Sequence, residues 1–235
     1  MTNPCRRHFQ RVTAAVAAAA VAGPAMTMEG ATVYELHLAK LQQDYLRLKQ
    51  VQSTEGKAEL KRQLLPEYIP YVEGVLAEGK GAQDQVLTTL MVWRMDATDF
   101  AGALDIADYV ITHSLLMPDR FERTTGTIVA EEIAEAALKA QKAGGAFDLD
   151  LLLRTEQITR EQDMPDQARA KLHLAIGKAL SAQVADDASP SDALEPLAKA
   201  KTHLARAIEL HSNCGGKKDL ERVERLLKKY AAPSS

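Results

Sequence analysis

Apolar residues in this chain recur at spacings of three and four over stretch after stretch, and β-branched runs bounded by turn residues are almost absent. A sheet needs side chains that alternate with a period of two, so the pattern leaves little from which to build strands and directs the chain into helices. Ala, Leu, Glu, Lys and Gln dominate, all favourable in helices, and aromatics make up only 5%. With 46% apolar residues in 235, the chain can bury a real core, as one large or two small domains. The expected fold class is all-α: an irregular bundle of about eight or nine helices without a sheet. The alanine-rich segments 98–116 and 166–210 have the texture of tetratricopeptide-like hairpins, but no period of about 34 residues recurs, so a regular solenoid is not expected.

Residues 1–30 join a basic cluster (Arg6, Arg7, His8, Arg11) to an Ala-rich run from Val12 to Ala22. This has the outline of an export signal. However, a run made almost wholly of Ala lacks the Leu, Ile and Phe that give such segments their transfer free energy, and Arg11 stands at its edge. A flexible basic arm is the better reading. No stretch of about 18 strongly apolar residues occurs, so no membrane span is expected.

From residue 31 the helical pattern sets in. Tyr34, Leu38, Leu41, Tyr45 and Leu48 alternate spacings of four and three, an a/d seam within a short coiled-coil-like helix at 31–52. Such a seam either packs on the core or pairs with a second copy, which makes these five residues the candidate oligomerisation surface. Gly56 is expected to break the run, followed by a helix from Lys57 to Leu65, a new start bounded by Pro66 and Pro70, and a polar turn at Asp96-Ala-Thr. Pro118 is expected to end helix 98–116 ahead of a loop from Asp119 to Gly126, and Gly144-Gly145 to form a left-handed cap. The helical core then spans 31–184, a short polar linker 185–190, a helical hairpin with a basic last helix 191–230, and a tail 231–235.

Motifs exclude several chemistries. Gly79-Lys80-Gly81 and Gly215-Gly216-Lys217-Lys218 lack the spacing that wraps backbone N–H groups around phosphates, so the chain is not expected to be an ATPase. No H-E-x-x-H, P-C-x-x-C or G-x-S-x-G occurs. Cys5 and Cys214 are the only cysteines and give neither a disulfide framework nor a Cys-based zinc site, as suits a reducing compartment. His37, His173, His203 and His211 are scattered and read as surface or satisfied core residues; no metal site is expected. A metal-dependent nuclease needs carboxylates converging on divalent ions about 4 Å apart. Asp105 and Asp108 share a helix face at i,i+3, as do Glu131 and Glu135 at i,i+4, so these four are the catalytic candidates; the alternative is a solvated acidic face. A helix-turn-helix around Ala140 and Gly144 fails, because the position that should be buried falls on Asp150 in an acidic segment.

Charge is unevenly spread. The net charge of −3 excludes a globally basic, histone-like DNA binder. Residues 95–150 hold eleven acids against four bases, whereas 217–229 hold six bases (Lys217, Lys218, Arg222, Arg225, Lys228, Lys229) against three acids. With Arg6, Arg7 and Arg11, these place any DNA contact at the termini, through phosphates and with strong salt dependence. The competing reading of 217–229 is a helix laced with its own ion pairs, such as Glu221–Arg225 and Glu224–Lys228.

Several strings occur in order along the chain: Ala31-Thr-Val-Tyr-Glu35, Leu64-Leu65-Pro66, Gly79-Lys-Gly-Ala-Gln-Asp84, Trp93-Arg94, Gly102-Ala-Leu104, Met117-Pro118, Asp163-Met-Pro-Asp166, Arg169-Ala-Lys-Leu-His173 and Lys217-Lys-Asp-Leu-Glu-Arg222. Together they resemble the small terminase subunit, also described as the terminase endonuclease subunit, of temperate contractile-tailed phages that package DNA from cohesive ends. The resemblance implies a protein that acts with a separate ATPase large subunit to recognise the cohesive-end site of concatemeric double-stranded DNA, direct its cleavage and deliver it to the capsid. It implies the large subunit, the portal and further copies of the chain as partners, and the host cytoplasm as location. It also favours the basic arm over an export signal.

An all-α chain offers no mixed sheet on which nuclease carboxylates usually sit. The expected role is therefore binding DNA and directing the cut, with Mg²⁺ entering only if the chain cleaves DNA itself. Members of the family that this chain resembles often continue past the 217–229 region in a Lys/Arg/Pro-rich tail, whereas this sequence ends at Ala231-Ala-Pro-Ser-Ser235; if that tail binds DNA in the relatives, affinity here is expected to be weaker or to come from elsewhere. The alternative function is a non-enzymatic helical adaptor that binds only the large subunit or the portal.

Overall fold

The computed structural model describes residues 32–78, 80–118, 122–185 and 188–231, and among these it contains helices and their connections but no strand. The chain divides into two compact units, Met1–Gln50 and Val51–Ser235. The first contains α1 (Val33–Gln50). The second contains α2 (Thr54–Leu64), a 3-10 turn (Leu65–Tyr68), α3 (Ile69–Glu78), α4 (Gln85–Asp96), α5 (Phe100–Thr112), α6 (Thr125–Lys142), α7 (Leu149–Thr159), α8 (Asp166–Ala182), α9 (Pro190–Leu210) and α10 (Lys217–Ala231).

α1 opens on a capping box, in which the Thr32 N–H donates to Glu35 Oε2 (2.7 Å) and the Glu35 N–H donates to Thr32 Oγ1 (3.2 Å). Leu41 and Leu48 of its seam are buried, while Tyr34, Leu38 and Tyr45 are half-buried. Asp44 is buried beside them and its carboxylate accepts from Lys40 (2.9 Å) and Arg47 (3.0 Å).

Side-chain caps set the helix starts. Ser53 accepts from the Gly56 N–H (3.1 Å), so Gly56 lies in the first turn of α2 and the break falls before it, at Val51–Ser53. A Cβ at Gly56 would stand 2.8 Å from that Ser53 oxygen, which is why glycine fits the turn it was expected to interrupt. Asp84, Asp99, Thr124, Asp148 and Ser189 cap α4, α5, α6, α7 and α9 in the same way. The Thr124 cap starts α6 at Thr125, so Gly126 is a buried helical residue and not the end of a loop.

Three helices end in one motif. At the ends of α4, α5 and α6 a residue in the left-handed region (Thr98 φ 66°, Ser114 φ 54°, Gly144 φ 81°) is followed by an N–H that reaches back five residues, from Asp99 to Arg94 O, Leu115 to Val110 O and Gly145 to Ala140 O. The Gly144 cap is as the sequence predicts. For α5 the stop is Ser114, and Pro118 lies beyond it.

The described part of the signature string, residues 80–84, acts as a buckle between α3, α4 and α5. Asp84 is buried; it caps the Leu87 N–H (2.8 Å) and accepts from the Tyr71 hydroxyl (2.5 Å). Gln83 clasps the backbone of Leu116 through two hydrogen bonds of 2.8 Å. The Gly81 N–H donates to the Tyr109 hydroxyl, with φ +64° and His113 where a Cβ would stand. The Trp93-Arg94 and Gly102-Ala-Leu104 strings meet likewise: Arg94 bonds Asp99 (2.6 Å), and a Cβ at Gly102 would fall 1.9 Å from the Arg94 guanidinium.

α6 and α8 run parallel, with Glu135 against Lys171 and the Gln141 amide donating to Ala175 O. α8 and α9 are antiparallel, and along α9 the buried residues Ala193, Leu197, Ala200, Leu204 and Ala207 repeat at four and three. Gly177 of α8 permits the close approach, since a Cβ there would lie 2.6 Å from Leu204 Cγ and 3.2 Å from Ala200 O. Gly177→Val is therefore expected to lower stability by about 2 kcal/mol through overpacking. Gly74→Ala in α3, with nothing within 4 Å of the new methyl, is expected to raise it by about 1 kcal/mol through helix propensity. Urea unfolding midpoints of the two variants check the pair.

Candidate functional site

The basic helix α10 has two faces of opposite chemistry. Leu220, Val223 and Leu227 turn inward, and on the other side Lys218, Arg222, Arg225 and Lys229 recur at spacings of four, three and four, all exposed. Lys217 and Lys228 flank this stripe and are exposed as well. Two of the helix's three acids do not lie among these cations: Asp219 reaches Lys178 of α8 (2.9 Å) and Glu224 reaches Lys201 of α9 (3.0 Å). Glu221 is exposed at the edge. None of the six bases takes part in an ion pair among the described residues, so Glu221–Arg225 and Glu224–Lys228 do not form. The stripe is a row of cations at helical pitch, about 17 Å long from Lys218 to Lys229. A cleft of about 510 Å³, lined by Arg222, Lys178, Asp219 and Gln141 among others, opens beside it. Arg6, Arg7 and Arg11 lie outside the described residues.

The four carboxylates singled out from sequence fall on two helices. Asp105 and Asp108 are on α5, where Asp105 pairs with Arg154 of α7 (2.8 Å) and Asp108 is exposed. Glu131 and Glu135 are on α6, where Glu131 pairs with Arg123 and both face Lys171 of α8 (3.6 and 2.5 Å). Lys171 is held above the ordinary lysine value, first by its hydrogen bond to Glu135. Neighbouring Glu132 is pushed up by partial loss of hydration and then by Asp96, Glu135 and Glu131.

Two of the histidines read as scattered meet in space. His173 of α8 and His203 of α9 place their Nδ1 atoms 3.0 Å apart, with the rings tilted by 41°. Glu156 of α7 brings Oε1 to 3.9 Å from His173 Nδ1. All three residues are half-buried, and among the described residues this is the one group of three His, Cys, Asp or Glu donors close enough to share an ion. Loss of hydration, followed by His203, Arg169 and Arg206, pushes His173 down to about 4. His203 is lowered by burial as well, with Glu156 pulling the other way. No local motif announces the cluster, since its members come from three helices; the only trace in sequence is that each lies next to a buried position, Thr155, Leu172 and Leu204.

Residues 38–167 match the family model described as the phage small terminase subunit. The chain is 45% identical over 233 residues to the "Terminase, endonuclease subunit" of Escherichia phage P2, covering 99% of this chain and 89% of that protein. It is 27% identical over 224 residues to the "Probable terminase, endonuclease subunit" of Haemophilus phage HP1 (strain HP1c1), covering 92% and 80%. No solved structure matches. The family-model match takes in the 80–84 buckle and all four carboxylates and ends at the start of α8, whereas the P2 alignment extends over almost the whole chain.

The depressed His173 makes acid destabilising in the metal-free protein. An unfolded chain protonates this ring near its ordinary value of 6.5 and the folded one only near 4, so its stabilising contribution is complete above about pH 6.5 and declines as pH falls toward 4. Between pH 7 and 4.5 the loss from this group is expected to be on the order of 2 kcal/mol. Urea unfolding in chelator at both pH values checks it, with the pH difference shrinking in His173→Gln.

Proposed function

Because this chain belongs to the phage small terminase subunit family, we propose that it holds double-stranded phage DNA on the outward stripe of α10 and directs its cutting for packaging. In this reading the bound DNA is the cohesive-end site of a concatemer, and an ATPase large subunit, with the portal beyond it, receives the complex in the host cytoplasm. The observation that carries the proposal is the one-sidedness of α10: Lys218, Arg222, Arg225 and Lys229 are exposed and, among the described residues, outside any ion pair, while Asp219 and Glu224 are bonded to α8 and α9. Exposed cations at helical pitch can exchange their counterions for phosphates, which gives affinity that falls steeply with salt. Arg6, Arg7 and Arg11 would add contacts of the same kind.

The names of the P2 and HP1 proteins make cleavage part of the reading. If this chain performs the cut itself, Asp105, Asp108, Glu131 and Glu135 are the residues to hold Mg²⁺. The α1 seam is proposed as the self-association surface through its half-buried Tyr34, Leu38 and Tyr45, Leu41 and Leu48 being buried already in one copy, and association is expected to show as a solution mass above the 25.6 kDa of one copy.

The deciding experiment is gel retention and cleavage of a duplex bearing the phage's cohesive-end site, by the full chain without the large subunit, across a salt series and with or without Mg²⁺. Lys218→Glu/Arg222→Glu/Arg225→Glu is expected to reduce retention at least tenfold and to make the logarithmic salt slope shallower by about three, with helicity unchanged. Retention equal to the parent would overturn the assignment of α10. Mg²⁺-dependent cutting by the chain alone would move the chemistry into this subunit and send Asn and Gln substitutions to the four carboxylates.

A further inference from the structure

Three helices contribute one ligand-type side chain each to a single point: Glu156 from α7, His173 from α8 and His203 from α9. The two Nδ1 atoms are 3.0 Å apart, the carboxylate oxygen is 3.9 Å from the first of them, and the donor atoms of all three residues lie within 4.8 Å of one another. Two nitrogens bound to one ion at about 2.0–2.1 Å, and 90–110° apart around it, stand about 2.9–3.4 Å from each other. The imidazole pair already has the spacing of two ligands on one coordination sphere. We propose that Glu156, His173 and His203 form a binding site for a single divalent transition-metal ion of the zinc type, joining α7, α8 and α9.

The donor set selects the class of ion. Imidazole suits zinc, cobalt, iron and nickel, and a single carboxylate beside two imidazoles gives too few oxygens for Mg²⁺ or Ca²⁺. The helices hold the ligands in place before any ion arrives, because α8 and α9 are locked by the contact of Gly177, one turn from His173, with Ala200, one turn from His203, and with Leu204, the residue after it. Side chains on rigid elements lose little freedom on coordination. Both rings are lowered toward the neutral form that binds metal, so coordination at neutral pH need not expel a proton from an imidazolium. The positive charges of Arg169, which donates to Gln162 O, and Arg206, which pairs with Glu209 (2.7 Å), are felt at His173 and oppose a cation, whereas Glu156 contributes a negative charge in its favour. Three protein ligands leave at least one position of the ion open to water. The competing arrangement is a plain hydrogen bond, in which one ring donates Nδ1–H to the other; it requires opposite tautomers and no ion. The site is independent of the α10 stripe, so either assignment can fail without the other.

The test uses the full chain, without a histidine tag and stripped with chelator, titrated with ZnCl₂ by calorimetry and with Co²⁺ by visible absorption. One equivalent of Zn²⁺ is expected to bind, unaffected by millimolar Mg²⁺, and Co²⁺ is expected to give d–d bands. Zn²⁺ is also expected to raise the thermal midpoint. Glu156→Gln is expected to weaken binding at least tenfold and His173→Gln/His203→Gln at least a hundredfold, with circular dichroism confirming that both variants remain folded. Failure of Zn²⁺ and Co²⁺ to bind the parent overturns the proposal, as does binding that survives unchanged in the double His variant, which would place the ion elsewhere, as at Cys214 or His211. Should the double variant unfold, Glu156→Gln alone decides: unchanged affinity there counts against the site.

Discussion

The contact between α8 and α9 rests on what its side chains leave out. Where Gly177 faces Leu204 and the Ala200 carbonyl there is no room for even one more carbon, and Ala175, Ala179, Ala193 and Ala207 are buried on the same two helices. Small residues bring two backbones close, and a close pair of antiparallel helices has a single register. That register sets His173 against His203 and, one helix further out, places Lys178 and Lys201 where Asp219 and Glu224 of α10 can reach them. The histidine cluster and the orientation of the basic helix are thus two products of one packing decision. Gly216, where α10 begins, is fixed by the same means, with Leu174 and Ile208 against it.

The ion pairs of α10 are partly exposed and contribute little to stability individually. Their effect is on rotation: by bonding Asp219 and Glu224 inward, they hold α10 with its cations turned out, opposite Leu220, Val223 and Leu227. A helix with the same composition but with Glu224 turned toward Lys228 would lose one cation of its outward face to an internal ion pair. The acidic residues of α5 and α6 show the other outcome, since Asp105, Glu131 and Glu135 each meet a cation from another element.

What could be read from the sequence depended on the range of the forces involved. The helical class, the Gly144 cap and the basic last helix follow from neighbours within a few residues. The end of α5 did not, because Ser114 takes a conformation that usually signals glycine, and Pro118 offered a more conspicuous stop. Gly56 looked like a break for the same reason, when its role is to clear space for the Ser53 hydroxyl. The heptad spacing noticed in α1 recurs in α9, from Ala193 to Ala207, where it packs within one chain. His173 and His203 are thirty residues apart on different helices, so no motif joins them; only the α8–α9 register does. Within the string that carried a family resemblance without a stated purpose, Gly81, Gln83 and Asp84 prove to be the buckle that ties α4 to Tyr71, Tyr109 and Leu116.

Thr98 and Ser114 end α4 and α5 in the left-handed backbone region, at a cost to a non-glycine residue of about 1–2 kcal/mol each. Gly144 closes α6 in the same way without that cost. For a breeder of more robust variants, the two strained turns are stability left uncollected, since Asn or Gly would adopt the same backbone more readily. Thr98 is exposed, so such an exchange would disturb no packed neighbour. A lineage under heat selection would be expected to change this position early, well before it touched the crowded seam between α8 and α9.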